Sequence, residues 1–144
     1  MIAPLMAATQ QKFREILFQL LYSQDFVDNE KEDIIPFLMA QNEVTKKTIY
    51  QAQEKQKAVL EKKEAIDKLI TEASLEYDFA RIPRVEKNIL RLGVYEICFD
   101  SAIPPKVAIA EAIRLARKFA TPEGSAFINA ILDAIYKKSE AVSV

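Results

Sequence analysis

The stretch Val85-Glu86-Lys87-Asn88-Ile89-Leu90-Arg91-Leu92-Gly93-Val94-Tyr95-Glu96-Ile97 decides the fold. Val85, Ile89 and Leu92 recur at helical spacing on one side, and Phe99 continues that line. Leu90, Val94 and Ile97 fall on another side. A helix apolar on two sides packs centrally, with neighbours on both flanks. Gly93 stands mid-helix, where it costs about 1 kcal/mol against alanine. Close approach of a neighbouring helix is the expected compensation. Glu96 shares the spacing of Val85, Ile89 and Leu92, so it reads as a partly buried carboxylate that requires a partner, Arg91 or Arg114.

This central helix is predicted over about Pro83–Phe99, after a break at Tyr77–Ile82. Downstream, Pro105 starts a helix to about Ala120 that turns Ile109, Ala112, Ile113, Ala116 and Phe119 inward. Thr121 then caps the last helix, with Pro122 at its first position and Glu123 in its first turn. Its buried stripe is Phe127, Ile128, Ile131, Leu132 and Ile135, and its tail is expected to fray from Ser139. Upstream, Phe13, Ile16, Leu17, Leu20 and Leu21 predict a first helix over about Thr9–Gln24, followed by an acidic loop, Asp25–Asp28. A second helix, about Lys31–Ala40, holds Pro36 in its first turn and faces Ile34, Phe37 and Leu38 inward. Asn42 is the expected cap of a third, from Glu43 into the sixties. That helix is the most exposed of the set, because Ile49, Tyr50, Val59 and Leu60 are its few large apolar residues. Ile66, Leu69, Ile70 and Ala73 give a further segment its apolar face, to about Tyr77. Strand-like alternation is missing, so the fold class is all-α, with about seven helices.

Composition excludes several chemistries. The chain has 144 residues, half of them hydrophobic, which suits one globular domain. Histidine is absent and Cys98 is the single cysteine. Imidazole catalysis, a disulfide framework and a thiolate zinc site are therefore ruled out. With glycine only at positions 93 and 124, a phosphate-cradling glycine loop is ruled out too. The longest uncharged stretch, Met1–Gln11, is short of the roughly 20 apolar residues a membrane span needs. It also lacks the basic start of a signal peptide. The expectation is a cytoplasmic protein with no membrane contact. Net charge is −1, but residues 1–80 carry an acidic excess and residues 81–144 a basic one, which permits a basic face without establishing it.

The clustered Asp67, Glu72, Glu76 and Asp78 read as a solvated acidic face, and Cys98 as core packing. Nothing assembles a nucleophile, base and oxyanion site, so no catalytic residue, metal ligand or cofactor is expected. RNA contact has two candidate locations. Lys12 and Arg14 open the first helix, and the loop Thr121–Ser125 leads to Phe127 at the start of the last. Helix N-termini attract anions, and aromatic or asparagine side chains can stack on and hydrogen-bond single-stranded bases. On spacing alone, Phe127 reads first as core and second as a stacking platform.

Three ordered motifs carry a resemblance. The central helix resembles the "ILRLxxYEL" helix of the NusB family of bacterial transcription antitermination factors. Pro105-Lys106-Val107-Ala108-Ile109-Ala110-Glu111-Ala112-Ile113-Arg114-Leu115-Ala116-Arg117-Lys118-Phe119 is similar to that family's "P-x-K-V-A-I-N-E-A-I-x-L-A-K-x-F". Phe127-Ile128-Asn129-Ala130-Ile131-Leu132-Asp133 is similar to its "F-V-N-G-V-L-D", and Arg14-Glu15 with Leu21-Tyr22 to its "R-E-x-x-x-x-x-L-Y". The resemblance implies two packed three-helix subdomains, about 1–77 and 78–144, in a single RNA-binding domain without catalysis. It implies binding to the boxA element of ribosomal RNA leader transcripts together with NusE, a small-subunit ribosomal protein, in the transcription elongation complex. The implied RNA face is Lys12, Arg14, Glu123, Ser125, Phe127 and Asn129; the implied NusE face is Tyr22 and Glu86.

Gln10 and Gln11 stand where family members carry basic residues. Each lost phosphate contact lowers the salt slope by about one unit, so binding is expected to be weak alone and tighter with NusE. A homodimer formed through the RNA face, and released by RNA, is a further expectation. Two other functions fit the same helices. One is an RNA-positioning module like the N-terminal domain of ribosomal RNA cytosine methyltransferases. The other is a helical protein-interaction scaffold with weakened RNA contact.

Overall fold

Prolines and capping threonines cut the chain into helices in the computed structural model, which describes residues 9–26 and 34–142. The helices are α1 (Gln10–Phe26), α2 (Ile34–Asn42), α3 (Lys46–Glu61), α4 (Lys63–Ala73), α5 (Arg84–Cys98), α6 (Pro105–Phe119) and α7 (Pro122–Val142). A single 3₁₀ turn, Phe79–Arg81, precedes α5, and no strand occurs among the described residues. The chain divides into two compact units, residues 1–58 and 59–144.

In the first unit, Thr9 caps α1 by accepting from the Lys12 backbone N–H at 3.1 Å. Ile16 and Leu20 of α1, Leu38 of α2, and Val44, Ile49 and Ala52 form its core, with Phe13, Ile35 and Met39 packed against them. Asn42 does not cap α3. It ends α2, and its Nδ2 donates to the Leu38 carbonyl at 3.0 Å and to Gln19 Oε1 at 3.2 Å. Glu43 follows in the left-handed region at φ 56°, and the Val44 N–H reaches back to the Met39 carbonyl at 3.3 Å. That closure, normally glycine's task, ends α2 and delays the next helix to Lys46. The cap there is Thr45, whose Oγ1 accepts from the Thr48 N–H at 3.3 Å. Phe37, expected inward, is 61% exposed, because α2 turns Ile35, Leu38 and Met39 to the core. Pro36 lies in the first turn of α2 as expected. Asp25 lies within α1 rather than in a loop; Asp28 and the Ile34 side chain are outside the described residues.

In the second unit, α5 packs against α4, α6 and α7, as its two apolar sides require. Ile89, Leu90, Leu92 and Val94 are all buried. A Cβ on Gly93 would lie 2.9 Å from Leu132 Cδ1 of α7 and 3.6 Å from Ala112 of α6. The glycine is therefore explained by close helix approach. The same closeness sets the buried face of α6, which is Ala108, Ala112, Leu115 and Ala116. Ile109, Ile113 and Phe119 are only partly buried, so the face is rotated from the expected one toward its small residues. α5 stops at Cys98, and Phe99 is 37% exposed instead of lining the core, its ring stacked on Tyr95 at 6.2 Å. Lys62 separates α3 from α4, its N–H turned to the Val59 carbonyl at 3.0 Å, so the two are distinct helices. Arg91 forks onto Asp67 of α4 with bonds of 2.9 and 3.0 Å. Arg114 donates to Glu111 at 3.1 Å. Glu96 is buried and engaged within the fold. α7 does not fray at Ser139: it runs to Val142, braced by Lys137–Asp133 and Tyr136–Glu140 contacts one turn apart. Among the described residues, no helix is long and apolar enough to cross a membrane.

Candidate nucleic-acid and partner interface

The start of α7 is built by its cap. Thr121 Oγ1 accepts from the Gly124 N–H at 3.0 Å, and the Thr121 carbonyl accepts from Ser125 at 2.9 Å. Pro122 and Glu123 follow in the first turn, the acid favoured by the positive helix end. Across from it, Pro83 starts α5 and brings Glu86 into that helix's first turn. Between them lies a cleft of about 350 Å³, lined by Tyr77, Arg81, Glu86, Glu123, Gly124 and Phe127 among others.

Gly124 decides the shape of this cleft. A Cβ there would collide with the Glu86 carboxylate, so only glycine lets the acid settle against the first turn of α7. Glu86 is only 7% exposed. No hydrogen-bond or ion-pair partner reaches it among the described residues. A buried carboxylate without a cation is costly, and it suits an incoming basic group. Phe127 meets Tyr77 edge-to-face, with centroids 5.4 Å apart. Tyr77 is 58% exposed, so the pair presents an aromatic surface at the mouth of the cleft.

The cleft thus unites three of the sequence-derived residues, Glu86, Glu123 and Phe127, and adds Tyr77, Arg81 and Gly124. Ser125 and Asn129 are absent from its lining. They are one turn apart on another side of α7, Asn129 exposed and the Ser125 hydroxyl buried without a hydrogen-bond partner among the described residues. In the first unit, Lys12 is partly exposed and its Nζ lies 3.6 Å from Glu15. Arg14 is buried and engaged within the fold, so it offers little surface to a phosphate. Tyr22 is partly buried and stacked on Phe18 at 5.9 Å. Tyr77 and Arg81 were invisible to periodicity because they sit in the break before α5. The Pro83 that ends this break was the available signal.

Cys98 is half-buried, and burial raises its thiol pKa above the usual value. No group of His, Cys, Asp or Glu that could hold a metal occurs among the described residues.

Comparison with known proteins agrees with this architecture. Residues 11–137 match the model of the NusB family. The transcription antitermination protein NusB of Chlamydia pneumoniae is 39% identical over 130 residues, covering 90% of this chain and 81% of that protein. A solved structure of T. maritima NusB superposes with a TM-score of 0.79 at 29% identity, covering 96% of this chain and 100% of that one. A crystal structure of the antitermination factors NusB and NusE in complex with dsRNA superposes with a TM-score of 0.76 at 25% identity, covering 90% and 96%. From the shared motifs, the shared helices and these matches, the chain belongs to the NusB family.

Proposed function

We propose that this protein is a cytoplasmic transcription antitermination factor. It binds the boxA element of ribosomal RNA leader transcripts together with NusE, within the elongation complex, and acts by binding rather than by any covalent step. The observation that carries the reading is the cleft before α5, which offers two different surfaces side by side. The Tyr77–Phe127 pair suits stacking by an unpaired base, worth about 1–3 kcal/mol per base. Glu86 beside it repels phosphate and suits a lysine or arginine of a protein partner. An RNA and a basic protein bound at adjoining surfaces support each other, which accounts for joint binding. In this reading RNA is bound by Lys12 in the first unit and by Glu123, Ser125, Phe127 and Asn129 in the second, Arg14 being held inside the first unit, while Tyr22 and Glu86 serve NusE.

The test is titration of labelled boxA RNA with and without NusE. Phe127→Ala should weaken RNA binding about tenfold. Glu86→Lys should abolish the gain from NusE and leave binding of RNA alone unchanged or slightly tighter. Equal RNA affinity with and without NusE would overturn the proposal.

A further inference from the structure

A second surface of the same unit is unused by this reading. At the far end of α7, a groove of about 560 Å³ runs between α4, the end of α5 and the last turns of α7. Its apolar lining includes Leu69, Ala73, Leu75 and Ile135. Leu69 and Ala73 extend the stripe whose other members, Ile66 and Ile70, are fully buried, so the apolar face of α4 is wider than the core it covers. Just past α4, Leu75 is 90% exposed beside the groove. Glu72 of α4 and Lys138 of α7 line it with opposite charges. Both are exposed, and neither makes an ion pair or hydrogen bond among the described residues.

We propose that this groove is a self-association surface, occupied by a second copy of this chain. Twofold pairing requires a patch that complements itself. Here the projecting Leu75 and an apolar recess lie side by side, so each copy can offer its leucine to the other's recess. The lining carries one acid and one base, so the same twofold sets each Glu72 against the other copy's Lys138. A groove lined by one sign of charge would repel its own copy. A dimer held by two leucines and two solvent-exposed ion pairs is weak and dependent on concentration. It is separate from the cleft at the start of α7, so this dimer leaves that cleft open.

Sedimentation velocity of the full chain from about 10 to 500 µM tests this, a range suited to weak interfaces. The expected result is a rise from monomer to dimer that added boxA RNA does not reverse. Leu75→Ser should abolish it with the helical circular dichroism unchanged. Glu72→Lys and Lys138→Glu should each weaken it about tenfold, and the two together should restore it, since each copy then regains both pairs. A protein that stays monomeric throughout overturns the proposal. So does a dimer indifferent to Leu75→Ser, or one dissolved by RNA, which would place self-association on the RNA face. Loss of NusE binding by Leu75→Ser in a monomeric protein would assign the groove to that partner and equally overturn it.

Discussion

Glycine occurs twice in this chain, and both positions are governed by what stands where a Cβ would be. At Gly93 the obstacle is Leu132, fully buried and with little room to move. Gly93→Ala gains about 1 kcal/mol of helix propensity and incurs about 2 kcal/mol of overpacking. Urea denaturation should show a net loss of about 1 kcal/mol. At Gly124 the obstacle is a carboxylate end that can swing away. Gly124→Ala should leave the melting temperature equal or higher, yet displace Glu86 and weaken NusE binding about tenfold, as a lost charge-assisted bond would. Calorimetry and titration on the same sample separate the two effects. Burial of Cys98 raises its pKa, so the folded state keeps a proton that the unfolded chain releases. Stability should therefore fall as pH rises past the thiol's ordinary value of 9.0. Below that pH, alkylation should be several-fold slower in the folded protein than in urea.

Helices in this molecule depend on a few joints. Thr121 is the sole side-chain cap seen at the α7 start, and Thr121→Ala should cost about 1 kcal/mol by thermal or urea unfolding. The Arg91–Asp67 fork ties α5 to α4, with the Arg91 side chain 7% exposed and Asp67 22%. Asp67→Ala takes the carboxylate from a buried guanidinium, which keeps its bond to Asn88 at 3.3 Å, and should cost about 2 kcal/mol. Such joints explain what could be read from the sequence. Pro83, Pro105, Thr121 and Pro122 mark helix starts by local chemistry, and these starts appear where expected. Gly93 announced close packing for the same reason. The Asn42 cap failed because an asparagine ending one helix looks like an asparagine opening the next. The inward face of α6 was misjudged because burial there rewards small residues, and alanine carries little weight in a hydrophobic pattern. Phe37 and Phe99 are apolar yet exposed, which periodicity alone does not reveal. The cleft was only half legible: the helix start at Thr121–Ser125 pointed to Phe127 and the resemblance added Glu86 and Glu123, but their meeting with Tyr77 and Arg81 depends on long-range packing.

For the molecule as a whole, charge limits the electrostatic contribution to RNA binding. The net charge is −1, and the cations the proposed RNA surfaces offer are Lys12 and, lining the cleft, Arg81, since Arg14 is buried. Single-stranded binding through at most two phosphate contacts gives a slope of log K against log salt no steeper than about −1.4. Titrations across salt concentrations check this, and a steeper slope would reveal further cations at work. The single sulfhydryl of the chain has a practical use. Cys98 borders the α4–α7 groove and is absent from the cleft at the opposite end of α7. A trifluoromethyl tag attached there would give one fluorine resonance, sensitive to coverage of the groove by another molecule and blind to a transcript seated elsewhere.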